Sequence, residues 1–393
     1  MYSHPVKAGI FVLAGLNSVA TTCYFYYVYF FMQERFGFGR MQNLILAALL
    51  GFIYTFASIS CGRFAHRRGY FLSLRVGFFV MAAVLALGSR LDTVAGHVVV
   101  MVICNIGMCF TWPTLEAMVS EGEPPTRLQR AVGIYNIVWA SGGAIAYFTG
   151  GAMLEKLGLR SLFLVPSVMQ AAQLALVFCL EKSRPAGGSI AAAESIDLQA
   201  GHPPLNPRPI GKARAFLTMA WLANPFAYLA INTVIAVTPS IAKELKLSPM
   251  FAGFFCSAWL FARIGAFALL RLWPGWHYSF RWLIGAYSAM VAGFALLLLA
   301  PDLPLLMAAQ LVFGLAVGLI YYSSLFYAMD VGGNKSEHGG FHEAAIGAGS
   351  CAGPAIGAAA LHFFPNAPAG SAWAVSGMLM IGLAGLAWLR CQR

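Results

Sequence analysis

Apolar stretches of about 20 residues recur along the whole chain, and no other feature constrains its fold as strongly. A helix of about 20 apolar residues is long enough to cross the hydrocarbon core of a bilayer. Hydrophobic residues make up 60% of the chain and charged residues 10%, whereas soluble domains carry about 25% charged residues. We therefore predict an all-α membrane protein with twelve transmembrane helices. The predicted spans lie at residues 10–32, 41–61, 72–90, 96–119, 131–153, 161–180, 214–241, 249–271, 281–300, 304–329, 341–363 and 371–390.

A polar segment between the sixth and seventh spans divides these helices into two sets of six. It is rich in Pro, Gly, Ala and Ser, a composition typical of flexible linkers. We predict an N-terminal six-helix bundle at residues 1–181, a cytoplasmic linker at 182–213 and a C-terminal six-helix bundle at 214–393. The first apolar run has no small-residue cleavage site after it, so we interpret it as a retained helix.

The two halves show a weak internal repeat. An offset of 207 residues places Gly142 on Gly349 and Asn17 on Asn224. Duplicated halves that meet around a central site are typical of transporters. Chance matching between helices rich in Gly and Ala is the alternative explanation.

The formal net charge of +11 has a simple explanation in a membrane protein. If both termini are cytoplasmic, 17 of the 25 Lys and Arg residues flank the cytoplasmic ends of the spans, 7 flank the other ends, and Arg263 lies within a span. This bias follows the positive-inside rule. It predicts a multi-pass protein of the cell (inner) membrane, and nucleic acid is not needed to explain the charge.

The loop between the second and third spans reads GRFAHRRGY, from Gly62 to Tyr70. It resembles the loop motif of the major facilitator superfamily, Gly-x-x-x-Asp-Arg-x-Gly-Arg-Arg, with Gly62, Arg67 and Gly69 in place. His66 stands where that family has aspartate.

A second pattern of the same family follows the fourth span. Glu121, Pro124 or Pro125, Arg130 and Gly133 match its acid, proline, arginine and glycine. The resemblance covers essentially the full length of the chain. It implies two pseudo-symmetric bundles in the major facilitator fold, which rock to open a central cavity to one side at a time. Helices 1, 4, 7 and 10 would line the cavity, helices 2, 5, 8 and 11 would join the halves, and the other four would face lipid.

The resemblance also implies a gate on the cytoplasmic side. Its expected residues are Gly62, His66, Arg67, Gly69, Glu121, Arg130 and Glu343. We expect Glu343 near the start of helix 11, so His66 or Arg67 could face it and form a latch, which a histidine would make sensitive to pH near neutrality. A solvated histidine without such a role is the alternative.

Charged residues within spans are costly and often functional. Glu116 shares one helix face with Asn105, Cys109 and Trp112, at spacings of 4, 3 and 4. Removal from water favours the neutral form of a carboxyl, so Glu116 is a candidate for proton coupling, together with Glu343. The alternative for Glu116 is an end-of-helix carboxylate that pairs with a loop arginine or reaches water.

Arg263 is the base within a span, and it does not readily lose its proton. It needs an anionic partner, which could be a carboxylate or phosphate of the substrate. Glu343 or Asp330, at the edge of helix 10, could instead pair with it structurally.

Several polar or aromatic side chains are further candidates for the cavity. The expected substrate-binding residues are Asn17, Tyr24, Asn105, Trp112, Glu116, Asn224, Tyr228, Arg263, Tyr321 and Ser324. Thr21 and Asn232 share faces with members of this set. Such side chains suit a neutral polar solute such as a sugar or nucleoside, although each could equally form an ordinary interhelical hydrogen bond.

These features predict a secondary active transporter for a small organic solute, coupled to protons by symport or antiport. No phosphate-binding GxxxxGK[ST] loop occurs, and the sequence HEAAI lacks the second His of a zinc protease. We expect no enzymatic activity, no cofactor and no metal. The expected partners are the lipid bilayer, a small-molecule substrate and protons, with no nucleic acid, and the chain is expected to act as a monomer.

Two alternatives remain open. One is a membrane sensor or scaffold of the same fold that transports nothing. The other is a drug or metabolite efflux antiporter, as opposed to a nutrient or organic-anion symporter. The helix-5 motif of the drug-antiporter branch lacks its proline here, and the helix-4 arginine of that branch is absent.

Overall fold

The computed structural model describes residue 2 and residues 4–121, 123, 125–183, 210–331, 335–367 and 369–392. Twelve helices within these ranges are long and apolar enough to cross a membrane, which confirms the predicted fold class. They are α1 (His4–Phe36), α2 (Arg40–Arg68), α3 (Tyr70–Gly88), α4 (Val94–Ser120), α5 (Pro125–Leu157), α6 (Ser161–Lys182), α7 (Ile210–Glu244), α8 (Pro249–Leu272), α9 (Phe280–Leu299), α10 (Leu303–Val331), α11 (Lys335–Phe363) and α12 (Gly370–Cys391).

Several helices are longer than the apolar runs that predict them. The 33 residues of α1 extend about 50 Å at 1.5 Å per residue, whereas the hydrocarbon core is about 30 Å thick. Backbone hydrogen bonding continues into polar sequence, so α7 begins at Ile210, inside the predicted linker. Most of that linker, residues 184–209, lies outside the described residues.

Most neighbouring helices are joined by very short connections. A single residue, Gly69, separates α2 from α3, and its φ of 99° is a conformation that favours glycine. Thr93 caps α4 by accepting a hydrogen bond from the Gly96 backbone at 3.1 Å. Ser248 caps α8 in the same way at the backbone of Phe251. These short connections place consecutive helices side by side and antiparallel.

The start of α1 and the end of α12 lie at the same side of the bundle. We call the side with His4 and Cys391 the termini face, and the side with Phe36, where α1 ends, the opposite face. Large apolar side chains such as Phe79 of α3, Val168 of α6 and Ile381 of α12 are exposed on the outer surface. Exposed apolar side chains are expected where helices contact lipid.

The two halves pack closely where α2 meets α11 and where α5 meets α8. A Cβ atom on Gly51 of α2 would overlap the backbone of Cys351 in α11, and one on Gly151 of α5 would overlap the backbone of Pro249 in α8. Glycine is therefore required for this approach.

Polar contacts also join the halves at the opposite face. Arg40 forms an ion pair with Glu244 at 2.8 Å. The backbone N–H of Met250 donates to Glu155 at 2.8 Å.

The internal repeat has a structural counterpart. Gly142 of α5 packs against the backbone of α1, where an added Cβ would lie 2.7 Å from the Gly15 carbonyl oxygen. Gly349 of α11 packs in the same manner against the carbonyl oxygen of Pro225 in α7. In each half, the fifth helix therefore crosses the first at the glycine that the repeat aligns.

Candidate functional site

A cavity of about 210 Å³ lies between the two halves. Its wall is formed by side chains of α1, α2, α4, α5, α7, α8, α10 and α11, and none of the described residues of α3, α6, α9 or α12 contributes. The wall is therefore wider than helices 1, 4, 7 and 10, because helices at the junction of the halves also reach it.

Two carboxyl groups meet at this wall across the junction of the halves. The side chains of Glu116 of α4 and Glu343 of α11 lie within hydrogen-bonding reach of each other. They are 6% and 5% exposed. An ionised carboxylate only accepts hydrogen bonds, so a bond between two carboxyl groups requires a proton on one of them.

Each of these acids also contacts a tyrosine of the other half. The hydroxyl of Tyr54 in α2 donates to Glu343 Oε2 at 2.6 Å. The hydroxyl of Tyr321 in α10 lies 3.5 Å from Glu116 Oε1. We call Tyr54, Glu116, Tyr321 and Glu343 the acid cluster. Its contacts connect α2 and α4 of the first half to α10 and α11 of the second.

The face of α4 that carries Glu116 is fixed by hydrogen bonds to α2. The side-chain amide of Asn105 donates to the carbonyl oxygen of Leu50 at 2.8 Å. One turn further, the hydroxyl of Ser58 lies 3.6 Å from the sulfur of Cys109. These contacts orient Trp112 and Glu116 toward the cavity, as their spacing predicts.

Arg263 of α8 is the buried cation of the cavity wall, with 2% exposure. Its guanidinium carbon lies 4.8 Å from the ring centres of both Trp139 and Tyr321. The rings of Phe267 and Tyr228 follow at 5.5 and 5.9 Å. We call these five residues the arginine cage. Contacts of a cation with aromatic faces stabilise it by about 0.5–2 kcal/mol each.

Hydrogen bonding leaves Arg263 incompletely satisfied. One terminal nitrogen lies 3.5 Å from the Tyr228 hydroxyl, at the limit of a hydrogen bond. Nε has no hydrogen-bond partner among the described atoms. No described carboxylate forms an ion pair with Arg263, and Glu343 instead bonds to Tyr54 and Glu116. The side chain of Asp330, the other expected partner, lies outside the part that the structure describes.

The structure places six of the ten expected substrate-binding residues on the cavity wall. They are Asn105, Trp112, Glu116, Tyr228, Arg263 and Tyr321. The other four are buried within the helix packing. Asn17 donates to Thr111 of α4 at 3.2 Å, and Tyr24 packs on Phe163 of α6. Asn224 and Ser324 are also enclosed.

The cavity residues that the sequence patterns did not single out include Tyr26, Tyr54, Tyr135 and Trp139. Tyr135 and Trp139 are four residues apart on α5, a spacing that puts both on one helix face. Two large amphipathic side chains on one helix face, close to two glycines of α5, are the sequence signal that could have identified Tyr135 and Trp139.

The loop motif lies at the termini face, away from the acid cluster. His66 and Arg67 are exposed at the end of α2. The expected contact of either residue with Glu343 is not formed. Because α11 begins at Lys335, Glu343 lies more than two turns inside the helix and faces the cavity.

The second family pattern lies close to the same face. Glu121 ends α4 and is partly buried, and Arg130 of α5 is exposed. A neighbouring acid, Glu123, forms an ion pair with Lys7 of α1. Pro124 lies outside the described residues. No group of three or more His, Cys, Asp or Glu side chains with the spacing of a metal site occurs in the part of the chain described.

This geometry, a cavity between two glycine-packed halves of six helices, is matched at the level of sequence. The profile of the Major Facilitator Superfamily matches residues 10–358. The chain belongs to the major facilitator superfamily. It is therefore a multi-pass membrane transporter, not an enzyme, and it acts on a small-molecule substrate.

Solved transporter structures share this fold. The human organic anion transporter MFSD10 (TETRAN) is 15% identical, with a TM-score of 0.68 over 97% of this chain and 98% of that one. The nucleoside transporter NupG is 14% identical, with a TM-score of 0.70 over 98% of both chains. A bacterial homologue of the human lysosomal transporter Spinster, in an inward-facing and unoccupied conformation, is 15% identical, with a TM-score of 0.64 over 98% and 96%. At these identities the likeness concerns the fold alone. None of the curated proteins matches the chain significantly in sequence.

Proposed function

We propose that this member of the superfamily is a proton-coupled secondary transporter, which carries a small organic solute by alternating access. The observation that carries the proposal is the close approach of the buried carboxyl groups of Glu116 and Glu343 across the two halves. A hydrogen bond between them requires a proton, so the contact between the halves depends on proton occupancy.

Loss of that proton would turn the contact into a repulsion. Two ionised carboxylates in a buried site repel strongly, because little water screens them. The hydroxyls of Tyr54 and Tyr321 can each stabilise one ionised oxygen, but they cannot bridge two. Deprotonation therefore favours separation of α4 from α11, and protonation favours closure. Such a two-state element is what couples an ion to alternating access.

We further propose that the termini face is cytoplasmic and that the protein resides in the cell (inner) membrane. The excess of Lys and Arg on the loops of this face supports the orientation. In this arrangement the acid cluster releases its proton toward the cytoplasm. The cavity lies within one chain, which supports a monomer as the transporting unit.

We propose that the residues matching the two family patterns act as a gate at the termini face, separately from the acid cluster. The proposed gating residues are Gly62, His66, Arg67, Gly69, Glu121 and Arg130. Glu343 acts deeper in the protein, through its bonds to Tyr54 and Glu116. A close contact between halves supports a gate here, since a Cβ atom on Gly133 of α5 would lie 3.1 Å from the Tyr322 hydroxyl.

The proposal is tested with the purified full chain in proteoliposomes that contain a trapped pH-sensitive dye. A panel of small organic acids, amides, sugars and nucleosides is added with and without an imposed pH gradient. We expect at least one solute to move protons together with itself, and Glu116→Gln to abolish this coupled movement.

The matched control is Glu155→Gln, because Glu155 bonds to the backbone of Met250 at the opposite face, outside the cavity. Proton coupling is rejected if the flux of a transported solute ignores both the gradient and Glu116→Gln. A sensor or scaffold is the better description under two conditions. No solute in the panel is transported, and neither Glu116→Gln nor Glu343→Gln changes the binding of any solute in the panel.

A further inference from the structure

The cavity contains one cation that is held by aromatic rings, and this arrangement restricts the substrate. We propose that Arg263 binds a small organic monoanion, a carboxylate attached to a flat apolar body. This inference rests on the proposed function, and it deepens it by naming the substrate class.

The first observation is the unfilled hydrogen-bonding capacity of Arg263. A guanidinium group has five N–H donors in a planar fork that fits a carboxylate through two parallel bonds. The described contacts supply one hydroxyl at 3.5 Å, and Nε–H has no partner. Aromatic faces stabilise the charge but do not replace these acceptors. A carboxylate in the cavity would supply them.

The second observation is that several other polar groups on the wall already bond to the protein, although the Tyr135 hydroxyl has no partner among the described atoms. The amide of Asn105 donates to a backbone oxygen at 2.8 Å. The amide of Asn232 donates to the hydroxyl of Ser350 at 2.7 Å, and the hydroxyl of Ser18 donates to a backbone oxygen at 2.6 Å. A sugar or nucleoside needs several free partners for its hydroxyls, because unmatched buried polar groups are costly. The wall therefore favours an anion over the neutral polar solute that the sequence suggested.

The third observation is the character and size of the remaining wall. Phe25, Tyr26, Tyr29, Trp112 and Tyr135 present rings to a cavity of about 210 Å³. Drug-sized ligands occupy pockets of about 300–1,000 Å³. Flat rings offer contact area to a planar apolar body. The cavity therefore suits a small aromatic or unsaturated acid.

The charge balance of the cavity connects this anion to the proton. Tyr321 contacts both charged sites, since its hydroxyl lies 3.5 Å from Glu116 Oε1 and its ring centre 4.8 Å from the Arg263 guanidinium carbon. When both acids are protonated, Arg263 leaves one positive charge, which a monoanion neutralises. When the pair holds only one proton, its remaining negative charge offsets Arg263, so a bound monoanion leaves one uncompensated negative charge that a second proton on the pair removes. Proton binding and anion binding therefore strengthen each other, as symport requires.

Other titratable groups face the acid pair and Arg263, and they bear on any pH dependence. They are Tyr26 of α1, Tyr54 of α2, Cys109 of α4, Tyr135 of α5, Tyr228 of α7, Tyr321 of α10 and His342 of α11. His342 is the one whose ordinary titration lies near neutrality, so its substitution belongs in the test.

The test is isothermal titration calorimetry on the detergent-purified full chain, with three monocarboxylates, benzoate, cinnamate and sorbate, and their amides. We expect at least one carboxylate to bind at least about tenfold more tightly than its amide. Binding should be tighter at acidic than at alkaline pH and accompanied by proton uptake, measured in two buffers of different ionisation heat. Glu343→Gln should remove the uptake, whereas His342→Gln should leave it unchanged.

Arg263→Gln should weaken carboxylate binding at least about tenfold and leave amide binding unchanged, and Arg263→Lys should retain part of the affinity. Arg75→Gln is the control, since Arg75 pairs with Glu181 outside the cavity. The comparison of acid with amide on the wild-type chain does not depend on any variant folding.

The proposal is overturned if no carboxylate in the panel binds, if an amide binds as tightly as its acid, or if phenyl phosphate, a dianion, binds more tightly than benzoate. Gradient-driven flux of a neutral solute would leave proton coupling intact and overturn only the monoanion. Carboxylate binding through Arg263 without gradient-driven flux would leave the monoanion proposal intact and overturn only proton coupling.

Discussion

The two charged regions of the cavity satisfy their charges in opposite ways. In the acid cluster, Glu116 and Glu343 lie against each other, and each contacts a tyrosine hydroxyl. In the arginine cage, Arg263 is surrounded by four aromatic rings and has no carboxylate partner among the described side chains. One shared proton satisfies the hydrogen bonding between the two acids, whereas Nε–H of Arg263 still lacks an acceptor. From this difference we propose proton binding in the acid cluster and anion binding in the arginine cage.

Arg263 forms no described salt bridge with Glu116 or Glu343. An ion pair between Arg263 and Glu343 would neutralise both groups permanently, and neither would then respond to protons or substrate. With Tyr321 between them, each remains available to a ligand from the cavity. Four substitutions distinguish the role of the acid cluster from the role of the arginine cage.

Glu343→Gln should reduce gradient-driven uptake at least about 100-fold. Glutamine keeps the shape of the side chain but cannot accept or release a proton, so transport would lose its coupling. The measurement is uptake of a transported solute into proteoliposomes with an imposed pH gradient. Exchange of labelled solute at equal pH on both sides should persist, and loss of both activities would instead indicate a misfolded protein.

Arg263→Gln should weaken the apparent affinity for an anionic substrate about 30-fold. Loss of a buried charged partner costs about 2–5 kcal/mol, and 1.4 kcal/mol corresponds to a factor of 10. Concentration-dependent uptake measures this effect in KM. A variant with unchanged KM would show that the cage only stabilises the packing of α8 on α5 and α10.

Tyr54→Phe should reduce coupled uptake about tenfold. The bond from its hydroxyl to Glu343 Oε2 at 2.6 Å is short, and bonds to charged groups contribute about 1.5–3 kcal/mol. Its loss should move the pH profile of transport toward more alkaline values, because the ionised form of Glu343 loses its donor while the protonated form keeps Glu116. A profile displaced toward acid would contradict this arrangement.

His342→Gln should change uptake less than about twofold and leave the pH profile in place. His342 is buried beside Tyr321, and its Nε2 has no partner among the described atoms. It bonds to neither acid in any described contact. A pH profile that flattens in this variant would assign the proton to His342 and separate the acid pair from coupling.

The spans were predictable from the sequence, but the faces of some helices were not. On α1 the polar stripe Asn17, Thr21 and Tyr24 was expected to face the cavity. Thr21 and Tyr26 lie on its wall, whereas Asn17 is buried in the packing and Tyr24 packs on α6. Two positions differ by about 200° around a helix. Because α1 is enclosed by helices on most sides, the residues on its cavity face and on its packed faces differ little in polarity.

The contents of the cavity were partly predictable as well. Glu116, Glu343 and Arg263 stand out because charges within spans are rare and costly. Their pairing could not be read from the sequence, because Glu116 and Glu343 come from different halves and no local pattern relates them. The expected contact of His66 or Arg67 with Glu343 is not formed in this structure, because α11 begins at Lys335 and places Glu343 more than two turns inside the helix. That start of the helix was not visible in the hydropathy, and the latch itself stays a prediction.

We infer that Glu116 and Glu343 share a proton between the two halves. Infrared difference spectroscopy of the reconstituted protein measures this directly through the carbonyl stretch of a protonated carboxyl group. At neutral pH we expect such a band in the wild-type chain, its loss in both Glu116→Gln and Glu343→Gln, and its persistence in Glu155→Gln. A wild-type spectrum with no protonated carboxyl band that responds to either substitution would show that the two acids do not share a proton.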